Sequence, residues 1–332
     1  MLVEETETAE ASALADDRLR LIFTCCHPAL AQSAQMALAL RLLCQLSTAE
    51  IARAFVEPEA TTAQKIVRAK RKIATARIPY VVPAEVDLPE RLAAVLSVIY
   101  LVFNEGYSAT SHERLTRPDL IAEAIRLGKL LVILLPSEPE ASGLLALMLM
   151  HDARRCTRES DDGTLIPLEE QDRAHWDQPR IRDGIALLDT ALLVNRPGPY
   201  QIQAAIAALH AGAKSAASTD WPQISALYGA LLRHLDTPVV HLNAAVALAM
   251  AGNLVAGLEW IERIEARGSL DTYHLLHAAK ADLHRRLGNV AAARECYLRA
   301  LALVRNTGER KYLERRLNEL GGSTAMGRSV DG

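Results

Sequence analysis

Aromatic residues are scarce in this chain: 4% of 332 residues, against 50% for apolar residues of all kinds. The apolar mass is therefore mainly Ala, Leu, Val and Ile. Strands favour β-branched and aromatic side chains, whereas Ala and Leu lead the helix scale, so an all-α fold is expected. Paired cysteines are missing too. Cys25, Cys26, Cys44, Cys156 and Cys296 form no C-x-x-C pair, which argues against a zinc ribbon, a thioredoxin-like motif or a secreted disulfide framework. Long apolar runs are absent as well. Leu130–Leu135 and Leu144–Met150 are too short to cross a bilayer, and Pro136 and Glu138 interrupt them. The first ten residues, MLVEETETAE, are acidic and do not read as a signal peptide. A soluble cytoplasmic protein is expected.

One further absence is local. Between Glu59 and Glu85 there is no acidic residue, while Lys65, Arg68, Lys70, Arg71, Lys72 and Arg77 lie there. The chain as a whole carries −3, so a cationic window sits on an otherwise acidic protein. That is the footprint of phosphate neutralisation, although many charge runs are only solvated helix faces.

The same window has the grammar of a helix-turn-helix. Ser47 or Thr48 is a natural N-cap, and Glu50 completes an S-x-x-E capping box with Ser47. Ile51, Ala52 and Phe55 mark the inner face of a two-turn helix. Pro58 lacks an amide donor and keeps Glu57 out of the α region, so the helix must stop there. A second helix is expected from about Ala60 to Ile73, with Ala63, Ile66, Ala69 and Ile73 inward. Thr61, Gln64, Lys65, Arg68 and Lys72 fall on its opposite face, with Arg71 beside them. A short helix, a tight turn and a second helix with long polar side chains is the arrangement that enters a major groove.

The run LSTAEIARAF with TTAQKIVRAKRKI resembles region 4 of bacterial sigma-70-type factors of the extracytoplasmic-function (ECF) class. DDRLRLIFTCCHPAL before it, and IPYVVP, YLVFNEGY, GLLALMLMHDARR, QDRAHW and GPYQIQAAIAALHA after it, narrow the likeness. Together they resemble ECF factors with a long C-terminal tetratricopeptide-like extension, from about Asp16 to Leu320. The resemblance implies recognition of the promoter −35 element by Thr61, Thr62, Gln64, Lys65 and Arg68, with Arg71 and Lys72 on the phosphate backbone. It implies docking on the flap of the polymerase β subunit, no cofactor and no catalytic activity. It also implies control by a regulatory protein or ligand on the C-terminal part. Region 2, which precedes region 4 in that class, has no counterpart here, so residues 1–16 are expected to be a disordered linker remnant.

The expected organisation follows in chain order. A four-helix DNA-binding domain covers 17–77, a stiff proline-rich linker 78–87, a helical middle block 88–197, tetratricopeptide-like repeats 198–320 and a disordered tail 321–332. In the first domain the Cys25-Cys26-His27 cluster is best read as buried thiols. In the middle block Gly106 is a candidate left-handed helix C-cap. His151-Asp152 and Glu170-Gln171-Asp172-Arg173 tempt an enzymatic reading, with Asp172 or Glu170 as a general base; helix caps and inter-helix bonds are the simpler reading. In the repeats, Gly252-Asn253 precedes Gly257, Ile261 and Ile264, and Gly288-Asn289 precedes Ala293, Tyr297 and Ala300 at the same offsets, a period of 36 residues. A fainter copy runs through Asp220, Ile224, Tyr228 and Leu231. Tetratricopeptide units repeat about every 34 residues and stack into a curved solenoid. Two alternatives stand beside the sigma-factor reading: a repeat-type adaptor whose basic helix is incidental, and a metal-dependent hydrolase using His151, Asp152 or Asp172.

Overall fold

The computed structural model of the chain describes residues 16–55, 57–83, 87–108 and 115–326. Among them there are fifteen α-helices and no β-strand, so the fold is all-α. The helices are α1 (Asp17–Cys25), α2 (Gln32–Leu43), α3 (Thr48–Ala54), α4 (Glu59–Thr75), α5 (Leu88–Tyr107), α6 (Pro118–Leu134), α7 (Pro139–Asp152), α8 (Gln178–Leu192), α9 (Pro199–Gly212), α10 (Trp221–Leu231), α11 (Pro238–Met250), α12 (Leu254–Ala266), α13 (His274–Arg286), α14 (Val290–Leu303) and α15 (Thr307–Met326). None of the described helices is long and apolar enough to cross a membrane.

Helix α7 shows why the apolar run Leu144–Met150 exists. Every residue from Gly143 to Met150 is buried, as expected of a helix that is hydrophobic all round and lies inside a protein. Helices α5, α6, α8 and α9 surround it. Gly143 lets α9 approach, since a Cβ there would lie 2.8 Å from the Gln201 backbone nitrogen.

The proline-rich segment after α4 does not separate two cores. One cluster of buried residues runs from Leu19 through Ile51 and Ile66 to Val95, Leu127 and Leu149. Helix α2 packs on α5, and polar clamps reinforce the join: Arg126 Nη1 holds Asp16 at 2.6 Å and Arg18 Nη1 holds Glu123 at 3.2 Å. The segment itself is strapped to α1, with Thr24 Oγ1 donating to the Pro79 carbonyl at 3.2 Å and Tyr80 Oη to the Asp17 carbonyl at 2.6 Å. Cys25 and Cys26 lie in this core. Burial pushes the Cys25 thiol up to about 12 and raises that of Cys26 as well.

The later helices pair as hairpins, α11 with α12 and α13 with α14. The turn glycines Gly252 and Gly288 adopt φ of +104° and +77°, a region where a side chain would be strained. Gly257 sits where α11 and α12 touch; a Cβ there would lie 2.6 Å from the Ala249 Cβ. Ala293 is fully buried at the matching position of the next hairpin. The 36-residue period is thus a period of turn and close contact.

The segment between α7 and α8 reaches across to the far end of this array. Glu169 pairs with Arg286 at 2.9 Å, and Glu170 pairs with Arg315 at 2.7 Å and Arg316 at 2.8 Å. Leu165 donates its backbone N–H to the Gly308 carbonyl at 3.1 Å. Exposed ion pairs are individually weak, but several on one segment act as a network.

Two expectations about helix ends differ from the structure. Helix α5 runs through Gly106 to Tyr107, so Gly106 is no C-cap; it lets α6 approach, since a Cβ would lie 2.8 Å from the Ile121 backbone nitrogen. Helix α7 ends at Asp152, and just beyond it Thr157 Oγ1 donates to the Arg154 carbonyl at 3.0 Å in a tight turn. The last helix continues past Leu320 to Met326. The carboxylates considered for catalysis hold structural partners: Asp152 faces Arg155 at 3.2 Å and also Arg180, and Asp172 accepts from the Ala174 N–H at 2.9 Å and contacts His175 at 2.8 Å. Of the expected N-terminal linker remnant, residues 1–16, all but Asp16 lie outside the described residues; Asp16 is ordered as the N-cap of α1.

Candidate nucleic-acid interface

Helix α3 begins as its sequence dictates. The Ser47 N–H donates to Glu50 Oε2 at 2.6 Å and the Glu50 N–H donates to Ser47 Oγ at 3.2 Å. This reciprocal capping box satisfies two amide donors that a helix start leaves orphaned. Ile51 and Ala52 are buried. The Glu57 N–H bonds the Ala52 carbonyl at 3.0 Å, which rounds off the helix. Pro58, extended at φ −62° and ψ 140°, then launches α4.

Helix α4 packs on α2 and α3 through Thr62, Ile66 and Ala69. These stand four and three residues apart, one face of a helix. The inward face thus centres on Thr62, not on Ala63, which is half-buried. A threonine in that place needs a partner, and it has one. Its hydroxyl donates to Glu57 Oε1 at 2.5 Å. The Lys65 ammonium holds the same carboxylate at 2.9 and 2.7 Å and lies 5.4 Å from the Phe55 ring centroid. The hydrogen bond from Lys65, and then that from Thr62, keep the Glu57 carboxyl below its usual range.

The seven residues expected to meet DNA therefore separate into three groups. Thr61, Gln64, Arg68, Arg71 and Lys72 are exposed along one side of α4. Lys65 stands at the edge of that side with its charge answered by Glu57. Thr62 is wholly buried and does not face outward; its place in the interface is corrected to a place in the turn. The spacing of 62, 66 and 69 contained that signal, but a polar residue is not normally counted as core. Glu57, which fixes the turn, was also missed, as was Val67, which is 65% exposed among the cations.

Arg68, Lys70, Arg71 and Lys72 make no ion pair with any described residue. By contrast Arg286, Arg315 and Arg316 at the other end of the chain all hold carboxylates. Beside the cationic row lies a shallow groove of about 340 Å³. Thr61, Gln64, Lys65, Arg68 and Lys72 form one wall, and Ala29–Ala31, Ser33 and Ala34, around the start of α2, form the other. The groove thus sets unanswered cations on one side against apolar and hydroxyl side chains on the other. It can receive a polyanion.

Comparison with known proteins adds three findings. Residues 91–192, from within α5 through α8, match a family of unknown function, DUF6596. The uncharacterized protein R00370 of Rhizobium meliloti (strain 1021) is 46% identical over 310 residues, which is 93% of this chain and 73% of that protein. No solved structure matches.

Proposed function

The chain belongs to one family with R00370 of Rhizobium meliloti, and within that family we propose that it is a promoter-recognition factor of the ECF sigma type. In this reading α3 and α4 dock on the −35 element. Arg68, with Gln64 and Thr61, reads base edges in the major groove, while Arg71 and Lys72 hold phosphates. The small domain also engages the flap of the polymerase β subunit. The helical hairpins at the C-terminus carry regulation through a protein or ligand partner. The reaction catalysed belongs to the polymerase; this chain supplies no catalytic group.

The observation that carries the reading is the set of four cations on α4 without a carboxylate partner among the described residues. An acidic protein gains nothing in stability from holding like charges together on one exposed helix, since they repel. A polyanion relieves that repulsion and releases condensed counterions.

The test is fluorescence anisotropy of the full chain on labelled duplexes selected from a random library, titrated at several salt concentrations. The expected result is enrichment of one short motif and an affinity that falls steeply with salt. A selected pool no different from the starting library, with no salt-dependent binding, would refute it. Co-purification with core polymerase tests the second contact. The adaptor reading predicts neither result.

A further inference from the structure

The segment from Arg154 to Arg173 spans the gap between α7 and the last hairpins. Several of its charges have opposite partners: Arg155 faces Asp152, Glu169 faces Arg286, and Glu170 faces Arg315 and Arg316. Three inward arginines are different. Arg158 is 8% exposed, its guanidinium lies 3.6 Å from the Tyr107 ring centroid, and it donates to the Tyr107 carbonyl. Arg154 lies 5.5 Å from the same ring and donates to Gln171 Oε1 at 3.3 Å. Arg173 stacks on Trp176 at 4.7 Å and donates to the carbonyls of His210 and Ala213. Among the described residues none of the three has a carboxylate within ion-pair distance. Only Arg158 is buried, while Arg154 and Arg173 are half-buried. The charges of Glu309 and Glu159 reach Arg158 only from beyond ion-pair distance, whereas a buried cation is normally held by a closer counter-charge.

The neighbours of these arginines are also incomplete. The Tyr107 hydroxyl, His151 Nδ1 and His210 Nδ1 are buried with no hydrogen-bond partner. The His151 and Tyr107 rings lie 5.3 Å apart, and the charge of Arg154 reaches both imidazoles. Burial first, and then Arg154, hold both histidines well below their usual range, His210 at about 4. They are neutral near pH 7, and a neutral imidazole still offers one N–H. The tyrosine hydroxyl and the guanidinium are donors, and each neutral imidazole donates from Nδ1 in one of its two tautomers. Orphaned buried donors around unanswered cations call for one kind of guest.

We propose that Arg154, Arg158 and Arg173, with Tyr107, His151 and His210, form a binding site for a small oxyanion, a carboxylate or phosphate group of a soluble molecule. The planar guanidinium fork matches either group in a bidentate manner. Arg154 is half-buried, so solvent still reaches it, and its charge acts on both imidazoles. Because the segment is tied at one end to α7 and at the other to α13 and α15, an anion there braces the array of hairpins. This site is independent of the DNA-binding reading and stands whether or not α4 binds a duplex.

Isothermal titration and thermal melting of the full chain test it. Inorganic phosphate and succinate are compared with sodium chloride at matched ionic strength. Saturable one-to-one binding by at least one oxyanion, with a melting temperature above that in chloride, is expected. Phosphate alone points to a phosphate-bearing ligand, and succinate alone to a carboxylate. Arg154→Gln should weaken binding by about tenfold or more while melting like the parent without ligand, because Arg154 makes one long side-chain bond. Arg286→Gln, outside the cluster, should bind like the parent. No saturation by either oxyanion, a shift that chloride reproduces, or parental affinity in Arg154→Gln would overturn the assignment.

Discussion

Thr62 is the residue on which sequence pattern and packing disagree most sharply, and a single substitution tests the difference. Replacing it by valine keeps the shape of the side chain and removes the hydroxyl that reaches Glu57 at 2.5 Å. A hydrogen bond to a charged group contributes about 1.5–3 kcal/mol. The net loss should be smaller. Glu57 keeps its Lys65 partner, and both side chains retain about a fifth of their exposure, 19% and 20%, so water replaces part of the bond. We expect about 0.5–1.5 kcal/mol. The loss falls on the turn that sets α4 against α3. Hydrogen exchange at the Ile66 and Ala69 amides should therefore quicken by roughly 2- to 10-fold if α4 opens locally. The salt dependence of duplex binding should keep its slope, because no phosphate-binding cation has gone. Adding Glu57→Gln should cost less than the two single changes together, since both remove the same bond. If Thr62→Val instead abolished sequence discrimination and left α4 as protected as in the parent, the hydroxyl would be reading bases and the inward placement of Thr62 would be wrong.

Three other outcomes are expected. Arg68→Ala should lose about 1–3 kcal/mol on the selected duplex and little on random DNA, whereas Lys72→Ala should weaken all duplexes and reduce the salt slope by about one; equal losses for Arg68→Ala on both would remove it from base reading. Gly257→Leu and Ala293→Leu should each lower stability by about 1–3 kcal/mol through overpacking of a hairpin, read as a lower melting temperature, and parental melting would disprove the close contact at the Ala249 Cβ. For Asp16, burial raises the carboxyl pKa, but the bonds from Arg126 and the Leu19 N–H outweigh it and leave it below 3.8. A lowered folded value means that the unfolded chain binds more protons, so this stabilisation is present above about pH 4 and is lost as pH falls through the folded value. Asp16→Asn should flatten the acid limb of the stability curve, and an unchanged limb would show that the Asp16–Arg126 clamp contributes nothing.

Much of the secondary structure was legible because its causes are local. The Ser47–Glu50 box, the stop at Pro58 and the paired turn glycines 252 and 288 are each decided within one or two helical turns. Helical class follows in the same way from a composition rich in Ala and Leu. The exposed positions Thr61, Gln64, Arg68, Arg71 and Lys72 were legible too, since they alternate with apolar residues at helical spacing. The chain's burial of Cys25 and Cys26 agrees with the usual behaviour of free thiols in small helical cores.

Long-range packing decided the rest. Whether Thr62 or Ala63 faces inward depends on a small rotation of α4 against α2 and α3, and the Glu57 carboxylate that accepts the buried hydroxyl tips the balance. The proline-rich segment 78–87 looks like a boundary because prolines break helices, yet the core continues past it, since α2 and α5 bury apolar faces against each other across residues distant in sequence. The groups suspected of catalysis could not be sorted by spacing. Asp152 and Glu170 acquired arginine partners up to 146 residues away, while Arg154, Arg158 and Arg173 acquired no carboxylate among the described residues. Sequence fixes which charges exist; only the fold decides which of them are answered, because a counter-charge is a matter of distance in space and not along the chain.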